Sequence, residues 1–231
     1  MKKKIFAIAL VVCVLALSIA SASMAYFTDT EDYTNVFTAG NVDITLTANA
    51  EDFTTADGVV DLDQYVYPGL TIENNVVITN VGSEDAYVGA IITISGEGLG
   101  TILGTADGTN KIPVAISNFL TTLVTDGDDY KVNVVATEKD ANDVVTEYTV
   151  YIAKLALLNG ERTATDNASA VTSATLFTAV SFPTTWDNAQ MASVDGLKVT
   201  VKAYATQTVG QGFTDAVSAL TTAFPSTFVF N

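Results

Sequence analysis

Residues 21–46 read SASMAYFTDTEDYTNVFTAGNVDITL and join an apolar N-terminus to the first alternating segment of the chain. In that segment Val42, Ile44 and Leu46 alternate with polar residues. Successive side chains of a β-strand point to opposite faces, so the pattern predicts a strand over residues 41–48 with one buried face and one wet face. The residues upstream of this strand carry an export pattern, and the residues downstream repeat the strand pattern.

The N-terminus has the three parts of an export signal. Lysines occupy positions 2–4, an apolar run covers residues 5–20, and Ser23 and Ala25 supply small residues before a cut. We therefore expect cleavage between Ala25 and Tyr26 and a secreted protein of the cell surface or extracellular matrix. An uncleaved anchor is the alternative, because residues 5–25 are long enough to span a bilayer.

Composition narrows the class of the remaining chain. Without residues 1–25, the chain of 231 becomes 206 residues with seven Lys and Arg against 26 Asp and Glu, a net charge of −19. Nucleic acid is excluded as a partner, because phosphate backbones are bound through clustered Lys and Arg. The only cysteine, Cys13, lies in the leader and no histidine exists. No disulfide can form after cleavage, and the commonest general base and zinc ligand is missing.

Short β segments separated by Gly, Asn and Asp follow one another along the chain. Further strands are predicted over residues 70–80, 86–95, 130–136, 144–158, 176–182, 197–206 and 228–230. We expect two hairpins, one across the Gly82-Ser83 turn and one across the polar residues 138–143.

Helical spacing occurs only near residues 116–123 and 213–224, and residues 50–63, 96–108 and 159–173 have loop composition. Many β-branched strands with at most two short helices predict a mainly β fold, an antiparallel jelly-roll-like β-sandwich. The expected organisation is a leader over residues 1–25, an N-terminal extension over residues 26–40 and a sandwich domain over residues 41–231.

Three segments resemble the TasA/camelysin family of secreted biofilm-matrix fibre proteins. The leader junction does so through Ala25, Tyr26, Phe27, Asp29, Glu31, Asn35, Phe37, Ala39, Gly40, Val42, Asp43 and Ile44. Tyr67-Pro-Gly with VITNVGSEDAYV at residues 77–88 resembles a family hairpin, and residues 199–224 resemble the closing segment. Residues 208–212 are longer than the family spacing, and residues 96–182 carry nothing specific to the family.

The resemblance implies a jelly-roll subunit that a dedicated signal peptidase processes and that polymerises into extracellular fibres, with possible accessory matrix proteins as further partners. In such fibres the N-terminal segment of one subunit enters its neighbour as a strand. Residues 26–40 are the candidate donor strand, with Phe27, Tyr33, Val36 and Phe37 as its anchors. No local partner for this segment is evident in the sequence. A terminal strand paired within its own domain is the alternative.

The resemblance to camelysin also implies a second possible function, that of a metalloprotease. We expect no enzyme and no catalytic residues, because a chain without histidine cannot contain the zinc motif H-E-x-x-H. The alternative to a fibre subunit is a monomeric adhesion or glycan-binding module of the cell surface.

Four polar residues of the middle region are further candidates. Asp126, Asp128 and Asp129 are possible calcium ligands, although the twelve-position loop with its terminal Glu is absent, and solvated turn residues are the favoured interpretation. No other cofactor is expected. Asn167 begins an N-x-S acceptor for glycosylation. Trp186, Phe177 and Phe182 are predicted to be core residues rather than a sugar-binding platform.

Overall fold

The computed structural model describes residues 28–31, 42–48, 51–52, 59–61, 67–103, 114–187, 190, 195–208 and 212–230. Its strands are β1 (Thr28–Glu31), β2 (Ile44–Ala48), β3 (Glu51–Asp52), β4 (Val59–Asp61), β5 (Thr71–Asn80), β6 (Ala86–Glu97), β7 (Leu120–Thr121), β8 (Tyr130–Lys139), β9 (Val145–Lys154), β10 (Ser173–Ser181) and β11 (Asp195–Gln207). Its helices are α1 (Leu99–Leu103), α2 (Val114–Phe119), α3 (Glu161–Asp166) and α4 (Ala216–Ala223).

The strands form two antiparallel sheets that face each other. A six-stranded sheet has the order β1-β11-β6-β9-β8, with β4 also paired with β11, and a five-stranded sheet has the order β3-β2-β5-β10-β7. The predicted mainly β, antiparallel sandwich is confirmed. Alternation is the reason, because nearly every long strand carries one continuous apolar face that only another sheet can cover.

The main core lies between the sheets. Ile92 and Val150 of the six-stranded sheet and Val76 of the five-stranded sheet are fully buried in it. A second, smaller cluster lies on the outer face of the six-stranded sheet, where Leu220, Phe224 and other residues of α4 and the C-terminal tail cover it. The six-stranded sheet is therefore apolar on both faces over part of its area.

Most long strands and the second hairpin were predicted correctly. β8 and β9 form a hairpin across residues 140–144, and β11 buries Val199, Val201, Ala203 and Ala205 on one face. The Pro68-Gly69 turn is present as expected, with the Leu70 N–H donating to the Tyr67 carbonyl at 3.0 Å.

The predicted hairpin across Gly82-Ser83 is wrong. β5 pairs with β2 and β10, whereas β6 pairs with β9 and β11, so the turn carries the chain from one sheet to the other. Both strands bury a complete apolar face, with Ile78 and Ile92 at most 1% exposed. Such strands gain more from facing each other across the core than from lying side by side.

The predicted loops contain regular structure. β3 and β4 lie within residues 50–63, α1 lies within residues 96–108, and α3 lies within residues 159–173. Leu99, Ile102 and Leu103 explain α1, because this apolar group is buried in the core despite its glycine-rich surroundings. The predicted strand over residues 228–230 is also wrong, since these residues form an irregular tail whose Phe228 packs on the six-stranded sheet. Within the described ranges, no helix is both long and apolar enough to cross a membrane.

Candidate functional site

The three segments that carry the family resemblance meet in the six-stranded sheet. β1 pairs with β11 from Thr28 opposite Thr206 to Glu31 opposite Ala203. On its other side β11 pairs with β6, from Gln207 opposite Ala86 onward. We call the edge of β11 over residues 203–206 the N-terminal strand slot, because β1 occupies it.

This pairing gives part of residues 26–40 a partner within the same chain, as in the alternative of a terminal strand paired within its own domain. Four of these residues, Thr28–Glu31, form a cross-strand ladder with the closing segment. The partner could not be predicted from the sequence, because about 170 residues separate the two strands and short-range patterns do not indicate contacts over such distances. The predicted cleavage residues Ala25 and Tyr26 and the predicted anchors Phe27, Tyr33, Val36 and Phe37 all lie outside the described residues.

Small buried residues line the inner face of the slot. Ala203 and Ala205 are fully buried, and their neighbours across the ladder are Ala90 and Val88 of β6. The strand that pairs here therefore lies beside a narrow, apolar floor.

The outer face of the slot is held by the C-terminal region. The Tyr204 ring lies 5.1 Å from Phe224 and 5.2 Å from Phe228 between centroids, in edge-on geometry. Asp215 caps the N-terminus of α4, and its side chain accepts a hydrogen bond of 2.7 Å from the Ser218 N–H. Close packing leaves Gly89 no room for a side chain, since a Cβ there would lie 2.7 Å from Leu220 Cδ1.

Residues 81–85 connect β5 to β6 and carry the chain from one sheet to the other, and we call them the crossing turn. The crossing turn lies at one end of the slot, since Ala86 is opposite Gln207. Asn80, 4% exposed, donates from Nδ2 to the carbonyls of Glu84 at 2.9 Å and Leu158 at 3.0 Å. Its Oδ1 accepts from the Gly82 N–H at 3.0 Å. Asn80 therefore holds the turn in shape and joins it to the segment that leads into α3.

That segment fits tightly against the turn. The Gly160 N–H donates to Asp85 Oδ1 at 2.9 Å, and a Cβ at Gly160 would lie 2.5 Å from the Glu84 carbonyl carbon. Arg162 forms an ion pair with Glu84. Sequence reasoning missed residues 158–162, because nothing in their composition indicates that they meet the turn.

Two buried oxygens at this end have no hydrogen-bond partner among the described residues. They are Gln207 Oε1 and Ser83 Oγ. Buried polar atoms are normally paired, so these two oxygens are exceptions to the usual pattern. Beside them the Thr208 hydroxyl donates to the Asp85 carbonyl at 3.4 Å.

The calcium candidates are used in other ways. Asp126 Oδ1 accepts from the Val132 N–H at 2.9 Å, and its Oδ2 forms an ion pair of 3.4 Å with Lys131. Asp128 and Asp129 are exposed in the same turn. Across the part of the chain that the structure describes, no three or more Asp, Glu, Cys or His side chains are grouped to hold a metal.

The remaining candidates lie away from the slot. Asn167 is exposed at the end of α3, where its Oδ1 accepts from the Ser169 N–H at 3.0 Å. Trp186 is 7% exposed and stacks on Phe119 at 6.0 Å, with Phe182 edge-on to both rings. Phe177 is also fully buried, so the prediction of core aromatics is confirmed.

The pKa values of several tyrosines are raised by their surroundings. Burial raises the pKa of Tyr148, whose hydroxyl has no partner among the described residues. Burial and, secondarily, the charge of Asp129 raise the pKa of Tyr130. The Tyr130 ring also lies 5.0 Å from the amine of Lys154.

Comparison with known proteins gives one family match, in the N-terminal part of the chain. A family model described as camelysin metallo-endopeptidase matches residues 1–97, a range that contains β1, the crossing turn and β6. No curated protein and no solved structure matches the chain. The predicted resemblance to the TasA/camelysin family is confirmed over residues 1–97.

Proposed function

We propose that this protein is a secreted structural subunit that polymerises into extracellular, biofilm-matrix fibres by donor-strand complementation. In this proposal the N-terminal segment leaves its own slot and occupies the identical slot of a second copy. One observation carries it: β1 is a four-residue edge strand of one sheet, whereas the next strand, β2, belongs to the other sheet. β1 can therefore be exchanged without disturbing the pairing of β2.

Exchange of this kind is energetically accessible. The ladder between β1 and β11 has the same bonds whether the two strands come from one chain or two, which makes swapping an identical element a low-cost route to assembly. Net gain must come from contacts made only between subunits. If Phe27, Tyr33, Val36 and Phe37 were buried in the neighbour, each would contribute about 1.5–3 kcal/mol. Ordering each residue of the segment costs about 1–2 kcal/mol, so added ladder bonds of about 1 kcal/mol net each are also required.

Deletion of residues 26–39 tests the proposal. The protein that begins at Tyr26 should form filaments visible by negative-stain microscopy, and the truncated protein should not. Trp186 fluorescence would show whether the truncated protein keeps its folded core, because this single tryptophan is buried. A peptide of residues 26–39 should bind the truncated protein and restore any stability lost with β1.

Two outcomes would contradict fibre formation through this segment. Filaments from the folded truncated protein would show that another surface drives assembly. A protein that stays monomeric but binds glycans or host matrix would favour the adhesion module.

We further propose that the chain has no protease activity, although the family model that matches residues 1–97 is described as camelysin metallo-endopeptidase. Catalytic zinc is normally held by histidine, often with a carboxylate or cysteine. Here histidine is absent and Cys13 lies in the predicted leader, so carboxylates alone would have to hold the metal. The purified protein should leave casein intact with and without added zinc. Cleavage that EDTA stops and that single Asp or Glu substitutions abolish would overturn this.

A further inference from the structure

We propose that Asp126 blocks the free edge of β8, which without it would pair with the β8 edge of a second copy of this chain. The inference concerns a surface that the fibre proposal does not use, and it applies to a monomer as well as to a filament. It gives a role to Asp126, one of the calcium candidates, whose carboxylate faces the backbone of β8.

β8 is the longest edge strand of the described structure. The five-stranded sheet ends in β3 and β7, which have two residues each. The six-stranded sheet ends on one side at β11, which β4 and β1 cover over residues 198–200 and 203–206. On the other side it ends at β8, which has ten residues and, among the described residues, pairs with β9 alone. Natural proteins keep exposed strand edges short or blocked, because an open edge is a template for another chain, so β8 needs another form of protection.

Alternate residues of β8 present their backbone groups to this free edge. The Val132 N–H donates to Asp126 Oδ1 at 2.9 Å, and the Tyr130 carbonyl accepts a bond of 2.9 Å from an N–H of the same turn. Both groups therefore point away from β9. Inward and outward residues alternate in an antiparallel ladder, so Val134 and Ala136 present their groups to the same side.

The two ends of the edge are blocked in different ways. At its start, the turn that carries Asp126 occupies the outward groups described above. Towards its end, the ladder with β9 shifts register between Ala136 and Glu138 and again between Glu138 and Lys139. Such irregularities twist an edge away from a partner strand. Two outward residues, Val134 and Ala136, are left between the two blocks.

The blocking turn is attached to both sheets. The Val124 N–H donates to a carbonyl of β10 at 3.0 Å, and the Leu155 N–H, just after β9, donates to the Asp129 carbonyl at 2.9 Å. Lys131 forms an ion pair of 3.4 Å with Asp126 Oδ2. One carboxylate oxygen is thus bonded to the edge and the other is held by a side chain of β8 itself. The carboxylate is therefore fixed against the strand that it blocks.

Loss of the Asp126 carboxylate would lengthen the open edge from two outward residues to three. Two copies of one edge can pair antiparallel about a two-fold axis, with the same residues contributed by each copy. An edge with two outward residues can form four ladder bonds in this way, and an edge with three, including Val132, can form six. Two added bonds of ordinary net strength correspond to about 10–100-fold tighter self-association.

Sedimentation of freshly purified protein that begins at Tyr26 measures self-association before filaments form. Asp126→Ala should lower the dimer dissociation constant about 10–100-fold relative to the wild type. Asp126→Asn should behave like the wild type, because its amide oxygen can accept the same bond from the Val132 N–H. Asp128→Ala removes a carboxylate from the same exposed turn and is the matched control, which should also leave association unchanged.

Hydrogen exchange shows where the copies meet. As the concentration of Asp126→Ala rises, the amides of Val134 and Ala136 should become protected, because edge pairing bonds them. In the wild type the Val132 amide should be protected at every concentration, which tests the block without any variant. Trp186 fluorescence checks that each variant is folded, since this side chain is buried.

A folded Asp126→Ala protein that is as monomeric as the wild type would overturn the proposal, as would association that protects amides outside β8. Equal association of Asp126→Asn or Asp128→Ala would show that charge and not the hydrogen bond is responsible, and would also overturn it. So would a wild-type Val132 amide that exchanges as fast as that of Val134. A protein that never forms filaments refutes the fibre proposal alone, because these measurements are made on the unassembled protein.

Discussion

Gly160→Ala tests the role of the crossing turn most directly. Gly160 has φ −80° and ψ 174°, which any residue can adopt, so backbone strain does not contribute. The added Cβ would instead lie 2.5 Å from the carbonyl carbon and oxygen of Glu84 and 2.6 Å from its nitrogen. These are backbone atoms held by Asn80 and cannot rotate away. The segment must move, which strains the Gly160–Asp85 bond and its neighbours.

The expected cost is about 2–5 kcal/mol, from overpacking of about 1–3 kcal/mol and the weakening of hydrogen bonds worth about 1 kcal/mol each. Urea unfolding followed by Trp186 fluorescence measures it, because that side chain is buried in the main core. Gly127→Ala is the matched control: a Cβ there meets nothing within 4 Å. That variant should be neutral or stabilised by up to about 1 kcal/mol. If Gly160→Ala unfolds within about 0.5 kcal/mol of the wild type, the crossing turn does not depend on this close contact, and the packing argument fails.

Three further perturbations follow from single contacts. Asn80→Ala removes two hydrogen bonds donated by a buried side chain and the acceptor for the Gly82 N–H, so it should cost about 2–4 kcal/mol in urea unfolding; an unchanged midpoint would contradict this. Tyr148→Phe deletes a buried, unpartnered hydroxyl and should stabilise by about 1 kcal/mol. Because burial raises the Tyr148 pKa, the unfolded state ionises first and the wild type should lose stability as pH rises above about 10, whereas the Phe variant should lose less there. The Val144 and Asn142 N–H groups lower the Asp140 pKa, so its contribution to the hairpin is present above the ordinary carboxyl value of about 3.9 and is lost as pH falls through the lower folded value. The Val144 amide resonance should titrate in that range in the wild type and not in Asp140→Asn.

Local sequence patterns predicted a strand or helix correctly where buried positions recur at the spacing of that element. The alternation of Val199, Val201, Ala203 and Ala205 predicted both the strand and its buried face. Helical spacing before Phe224 predicted α4, although its cap residue Asp215 fixes the start three positions into the predicted range. The short helices α1 and α3 were not predicted, because five or six residues are too few to show a helical period in their apolar positions.

The candidate site could be predicted only in parts. The leader junction, the crossing turn and the closing segment were all recognised, but their adjacency was not. Asn80 looked like an ordinary turn residue, and its bond to Leu158 spans 78 positions.

Sequence alone was sufficient to predict a mainly β, acidic chain and the family resemblance that the match over residues 1–97 confirms, because these properties depend on composition, alternation and short motifs. Only the tertiary structure decided that β5 and β6 lie in different sheets and that β1 pairs with β11. The physical reason is that alternation specifies which face of a strand is buried but not which strand lies beside it. All strands present the same backbone donors and acceptors at their edges, so the choice of neighbour is made by packing of the whole chain.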